Sequence, residues 1–193
     1  DSAFAHTLDR IKVGNSFYSS KPPVLSFVGA GIYAVLYHGL GWELQTQGCA
    51  PDRSATNCRA LLEPAAADWA YFALTFLLVT LPGILMLALA YRLAWRSGFS
   101  NWVSIGLVLV LGLGTAVFPY STVFVNHVPA VFTLFAAFYV LLTHTRLEKR
   151  HLFLVGFLAS LAMTLDLSAG VYFLGIFVYL VFVYRQEVVW SVV

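Results

Sequence analysis

Six apolar stretches divide the chain, at residues 24–42, 69–91, 102–118, 128–142, 152–165 and 167–184. A helix needs about 20 residues to cross a bilayer, with about 17 as a practical floor. The second and third stretches meet that length, and the fourth is marginal. The last two are separated only by Asp166. Joined together they are too long for one ordinary span, so the pattern predicts two short helices with a tight turn at Asp166-Leu167-Ser168. The first stretch, rich in small residues (Ser26, Gly29, Ala30, Gly31, Ala34), follows Lys21-Pro22-Pro23 and reads either as a span or as a re-entrant or interfacial helix. The pattern predicts an all-α fold, a polytopic transmembrane helical bundle of about five spans plus that additional helix. No internal repeat or low-complexity segment interrupts it.

Composition sharpens this picture. Hydrophobic residues make up 60% of the 193 and charged residues 10%, against roughly 25% charged in an ordinary soluble domain. A soluble fold of this size cannot hide that much apolar surface, whereas a bilayer can accept it. The net charge of +2 is too small for a nucleic-acid partner, and no basic stripe with interleaved aromatics appears. Basic residues follow the second stretch (Arg92, Arg96), the fourth (Arg146, Lys149, Arg150) and the last (Arg185). Residues 119–127 and the Asp166 turn carry none. The positive-inside rule therefore places the first set in the cytoplasm and the second outside. Trp69, Trp95, Trp102 and Tyr120 stand near the expected helix ends, as interfacial aromatics do. The chain opens at Asp1 in polar sequence and closes on an apolar run through Val193, which is the expectation for a piece of a longer protein lacking at least one upstream membrane helix.

Candidate chemistry lies in polar residues at membrane depth or at helix ends, where they are expensive to keep. The first cluster is Thr7-Leu8-Asp9-Arg10-Ile11-Lys12 with Tyr18-Ser19-Ser20-Lys21-Pro22-Pro23. Lys21 is a candidate point charge for a phosphate, and Asp9 a candidate general base or partner of Arg10. The same residues also read as a capping turn with Lys21 reaching toward lipid headgroups. In the second cluster, residues 118–129, Asn126 and His127 are candidates to bind a sugar hydroxyl or a phosphate oxygen, or else to cap a helix at the interface. Asp166 forms the third and reads as an amino-terminal cap for the next helix or as a buried proton-relay carboxylate. Cys49 and Cys58 share one polar segment, and either a local disulfide or two unpaired thiols fits. No dedicated metal-ligand cluster, glycine-rich phosphate loop or soluble-hydrolase signature is present, and no cofactor is expected.

The run Tyr18-Ser19-Ser20-Lys21-Pro22-Pro23-Val24-Leu25 resembles the first outer loop of GT-C superfamily glycosyltransferases, which carry a Tyr-x-x-Lys-Pro-Pro-like segment. Protein O-mannosyltransferases and aminoarabinose transferases are relatives of this kind, and a less characterised bacterial branch is more similar still. That branch has counterparts of Leu8-Asp9-Arg10, of Tyr18 to Pro23, of Asn126 to Ala130 and of the Thr164-Leu165-Asp166-Leu167 turn, in that order. The resemblance implies one transmembrane domain, with residues 1–68 an outer loop bearing an interfacial helix and residues 69–193 the membrane helices, in a bacterial plasma membrane. It implies transfer of a sugar, with inversion, from a polyprenyl-phosphate carrier to an acceptor outside the membrane. Lys21 would touch the phosphate, Arg10 would be a weaker second contact, Tyr18, Asn126 and His127 would line the donor site, and Asp9 is the carboxylate inside a matching element. The family's principal catalytic aspartate lies upstream of such elements, just after the first membrane helix. A transporter or lipid flippase is the alternative reading, and a membrane scaffold a third.

Overall fold

A computed structural model describes residues 10–14, 16–19, 21–42, 69–144 and 147–190. These residues are helical apart from one short hairpin, and the chain divides into two compact units, Asp1–Leu74 and Thr75–Val193.

The first unit holds the hairpin. Strands β1 (Arg10–Val13) and β2 (Ser16–Ser19), of 4 residues each, pair antiparallel with Arg10 opposite Ser19 and Ile11 opposite Tyr18. They are joined through Gly14, whose φ of 62° lies where only glycine sits without strain. The rest of the described residues bear out the all-α expectation, and the hairpin is a local addition, because an Ile-x-Val/Phe-x-Ser alternation around Gly14 favours a ribbon over a capping turn. Helix α1 (Val24–Leu40) starts directly after Pro22-Pro23 and ends at Gly41, whose left-handed backbone (φ 67°) turns its N–H back to Tyr37. Only Leu25 and Gly29 of α1 are buried.

Helix α2 (Trp69–Arg96) has 28 residues, about 42 Å of rise, and is the one described helix long and apolar enough to cross a membrane. Its turn at Phe76–Thr80 is π-helical. Pro82 lies just beyond, and proline both lacks an N–H and crowds the carbonyl four residues earlier, which the wider turn relieves. Thr80 uses the distortion, donating its hydroxyl to the Ser121 carbonyl at 2.7 Å.

Helix α3 (Asn101–Leu113) is capped by Ser100, whose side chain accepts from the Val103 N–H. Gly112 lets it approach α2, since a Cβ there would stand 3.1 Å from Leu87. The third apolar stretch was expected to run unbroken to residue 118, and it does not. The helix stops at Leu113, the Thr115 hydroxyl takes the Leu111 carbonyl at 2.6 Å, and a separate helix α4 (Val117–Ser121) follows. Pro119 explains the break. Inside one long helix it would clash with the Thr115 carbonyl, whereas in the first turn of α4 its missing N–H costs nothing.

Helices α5 (His127–Thr143) and α6 (Lys149–Leu165) form an antiparallel hairpin. Glu148 and His151 cap the start of α6 reciprocally, the Glu148 side chain accepting from the His151 N–H and the His151 ring from the Glu148 N–H. Leu134 and Ala137 on α5 pack in one core with Val155, Ala159 and Ala162 on α6, which are spaced by four and three residues along one helix face. Asp166 is extended and ends α6, and a single 3-10 turn (Leu167–Ala169) leads into α7 (Gly170–Trp190), which adds Ile176 to the same core.

Apolar side chains also cover the outside. Trp102 is 82% exposed and Val171 76%, with many others on every long helix. A soluble monomer rarely carries apolar surface so continuous, whereas a bilayer removes its cost.

Candidate functional site

The second unit has two polar ends of different character. At one, Arg96 of α2 donates to the Tyr139 hydroxyl at 3.2 Å, and Lys149, Arg150 and Glu148 stand at the start of α6, with Arg150 and Glu148 paired at 2.9 Å. At the other, the first turn of α5 meets the last turn of α6, and the described residues there include no Lys or Arg.

That second end is built from Asn126 upward. Asn126 precedes α5 but does not cap it. Its side chain is buried and donates to the Leu165 carbonyl at 2.7 Å, across 39 positions of sequence. Leu165 is the last residue of α6, where a helix leaves carbonyls without intrahelical partners, so Asn126 satisfies one of them. This bond fixes the backbone from which His127 projects.

The His127 Nδ1 then meets the Asp166 Oδ2 at 2.5 Å. The other carboxylate oxygen, Oδ1, accepts from the Ser168 N–H at 3.0 Å and the Ser168 hydroxyl at 2.8 Å. Tyr120 of α4 presses edge-on against the imidazole with ring centroids 5.2 Å apart. The imidazole is thus held by a carboxylate on one side and an aromatic ring on another. His127 keeps 42% of its side chain exposed against 15% for Asp166, so the histidine faces outward and the aspartate supports it from behind.

Burial opposes ionisation of Asp166, but hydrogen bonds from His127 and from the side chain and backbone of Ser168 outweigh it and hold the carboxyl below its ordinary value. The stability this contributes is therefore present above the unfolded-state value, near pH 4, and is lost as pH falls through the lower folded value. Thermal melts taken from pH 6 down to pH 3 will show the wild type losing more stability below about pH 4 than Asp166→Asn does. Equal acid slopes would mean that the carboxylate is not held as described.

Sequence reasoning treated Asn126 and His127 as one cluster and Asp166 as another, and missed that they form one site. Both were visible as polar interruptions of apolar runs, but nothing in their spacing says that they meet. Tyr120 and Ser168 were also missed as parts of this site. The Asp166 side chain does cap the 3-10 turn through Ser168, and the same carboxylate holds His127.

The remaining candidates belong to the first unit. Arg10 and Tyr18 fall in neighbouring pairs of the hairpin ladder, and the exposed Lys21 lies just before Pro22-Pro23 and α1. Asp9, Cys49 and Cys58 lie outside the described residues. Among the described residues no three His, Cys, Asp or Glu side chains converge as metal ligands. An open groove of about 420 Å³ beside α5 and α7, walled by Phe138, Leu141, Leu142, Val171 and Ile176, is apolar, so the acid–base groups lie elsewhere. No family profile, characterised protein or solved structure matches the chain.

Proposed function

We propose that the chain is part of a multi-pass membrane glycosyltransferase of GT-C type, in a bacterial plasma membrane, moving a sugar from a polyprenyl-phosphate carrier to an acceptor on the outer face. One observation carries the reading. The Asn126-His127 turn and the Asp166 turn, two elements that the resemblance identifies separately, join into one polar node at a helix end where the described residues include no Lys or Arg. The opposite end carries Arg96, Lys149 and Arg150. By the positive-inside rule that end is cytoplasmic and the node faces outward, where a lipid-linked donor presents its sugar.

The resemblance assigns Lys21 and Arg10 to the donor phosphates, and Tyr18, Asn126 and His127 to the donor site. The leaving polyprenyl phosphate departs with negative charge, which a lysine neutralises as a point charge. A protein whose polar groups gather at helix ends also differs from a transporter, which places them near the midplane.

Full-length protein in membranes, supplied with polyprenyl-phosphate sugars, will transfer sugar, and Lys21→Ala will lower the rate about 10- to 100-fold, the worth of one charge-assisted contact. Absence of transfer from every such donor, with no donor binding, would overturn the reading. The orientation has its own check. Cys49 or Cys58 will react with a membrane-impermeant thiol reagent in intact cells after mild reduction, and labelling only after permeabilisation would invert the topology.

A further inference from the structure

We propose that His127 is the base that takes the proton from the acceptor hydroxyl, and that Asp166 is its positioning residue. The inference rests on the transferase reading and places the base at His127 instead of at the carboxylate that the resemblance implies.

Three observations lead to it. A carboxylate only accepts, so the Asp166 Oδ2 contact requires His127 to carry its hydrogen on Nδ1. That leaves the lone pair on Nε2, which makes no hydrogen bond among the described residues. Asp166 itself is a poor direct base, because both its oxygens are occupied, by His127 and by Ser168, and it lies mostly covered. Lastly, three restraints act on His127. Asn126 pins the chain to Leu165, Asp166 sets the tautomer, and the Tyr120 ring limits rotation. A histidine that served only as a helix terminus would need none of these restraints.

The chemistry follows directly. As the acceptor oxygen forms its bond to the anomeric carbon of the sugar, its proton passes to Nε2. The bond from that carbon to the phosphate oxygen breaks, and the electron pair leaves with the polyprenyl phosphate. The imidazolium so formed is stabilised by the Asp166 carboxylate, and it returns its proton to water at the exposed face. The titratable groups that face the imidazole among the described residues are Asp166, from the turn after α6, and Tyr120, from α4.

The test is the pH profile of sugar transfer by the full-length protein, from pH 5 to 9, for the wild type, His127→Gln, Asp166→Asn and Asp9→Asn. The wild type should gain activity with rising pH through the titration of one group. His127→Gln should lower kcat at least 100-fold. Asp166→Asn should lower kcat about 10-fold or more, since the imidazole loses the carboxylate that fixes its tautomer. A merely structural Asp166 would lower the folded fraction and leave kcat per folded molecule unchanged. Melting curves of each variant separate lost chemistry from lost fold. The wild-type profile needs no variant at all.

A profile that falls with rising pH would make His127 a cationic phosphate contact and overturn the proposal. So would His127→Gln at near wild-type rate, or loss confined to Asp9→Asn, either of which leaves the transferase reading standing. No transfer by the wild type from any lipid-linked donor would remove both.

Discussion

Asn126→Ala will lower the stability of the second unit by about 1–3 kcal/mol, and Asn126→Asp will lower it further. Asn126 is only 8% exposed, and its amide donates to the terminal carbonyl of α6. Alanine removes the donor and leaves a buried carbonyl unsatisfied, which carries the desolvation penalty of that group. Aspartate keeps the shape but aims an acceptor at an acceptor, beside the Asp166 carboxylate. The order Asn, Ala, Asp therefore separates the hydrogen bond from simple packing. Denaturation of the purified protein in mixed micelles reads it. On the proposed transferase reading, sugar transfer should fall more steeply than the unfolded fraction alone requires, because the bond also aims His127. Equal stability of Asn126→Asp and wild type would mean that the amide does not make this contact.

Much of this arrangement was legible in the sequence. Apolar runs located the long helices to within a few residues, since a helix that exposes apolar side chains on all faces must be written almost without polar letters. The Asp166 turn was legible for the same reason, as the one charged residue in residues 152–184. The hairpin of Arg10–Val13 and Ser16–Ser19 was legible too, through Gly14-Asn15 between alternating residues, but the surrounding polar composition drew the reading toward a loop. The break after Leu113 depends on Pro119 acting on the carbonyl of Thr115, a steric effect that a hydrophobicity pattern does not contain. Neither does the pattern contain the site. His127 and Asp166 lie 39 positions apart, and their meeting follows from the near-equal lengths of α5 and α6, each of 17 residues, folded back on one another. Length and turn give the juxtaposition only once the helix bounds are known.

Ala159→Leu will destabilise the protein by about 3 kcal/mol, the upper part of the range for overpacking a filled interior. Ala137, Ala159 and Ala162 are all 0% exposed, so α5 and α6 approach through methyl groups. Where the surroundings are lipid or detergent, apolar burial adds little to helix association, and close van der Waals contact through small residues supplies most of it. A leucine at 159 must push the helices apart or turn α6 about its axis. Phe157→Leu is the control, because Phe157 lies on the same helix, is 54% exposed, and should change stability by less than about 0.5 kcal/mol. The reverse result, a tolerated Ala159→Leu and a damaging Phe157→Leu, would mean that α6 presents its other face to the core. The consequence for chemistry is larger than the loss of stability. The distance between α5 and α6 sets both the Asn126 bond to Leu165 and the His127 contact with Asp166. Widening it should separate the imidazole from its carboxylate, and on the proposed transferase reading transfer by the folded Ala159→Leu population should fall toward the His127→Gln level. The small-residue face is thus the part of the fold that holds the two polar turns in register.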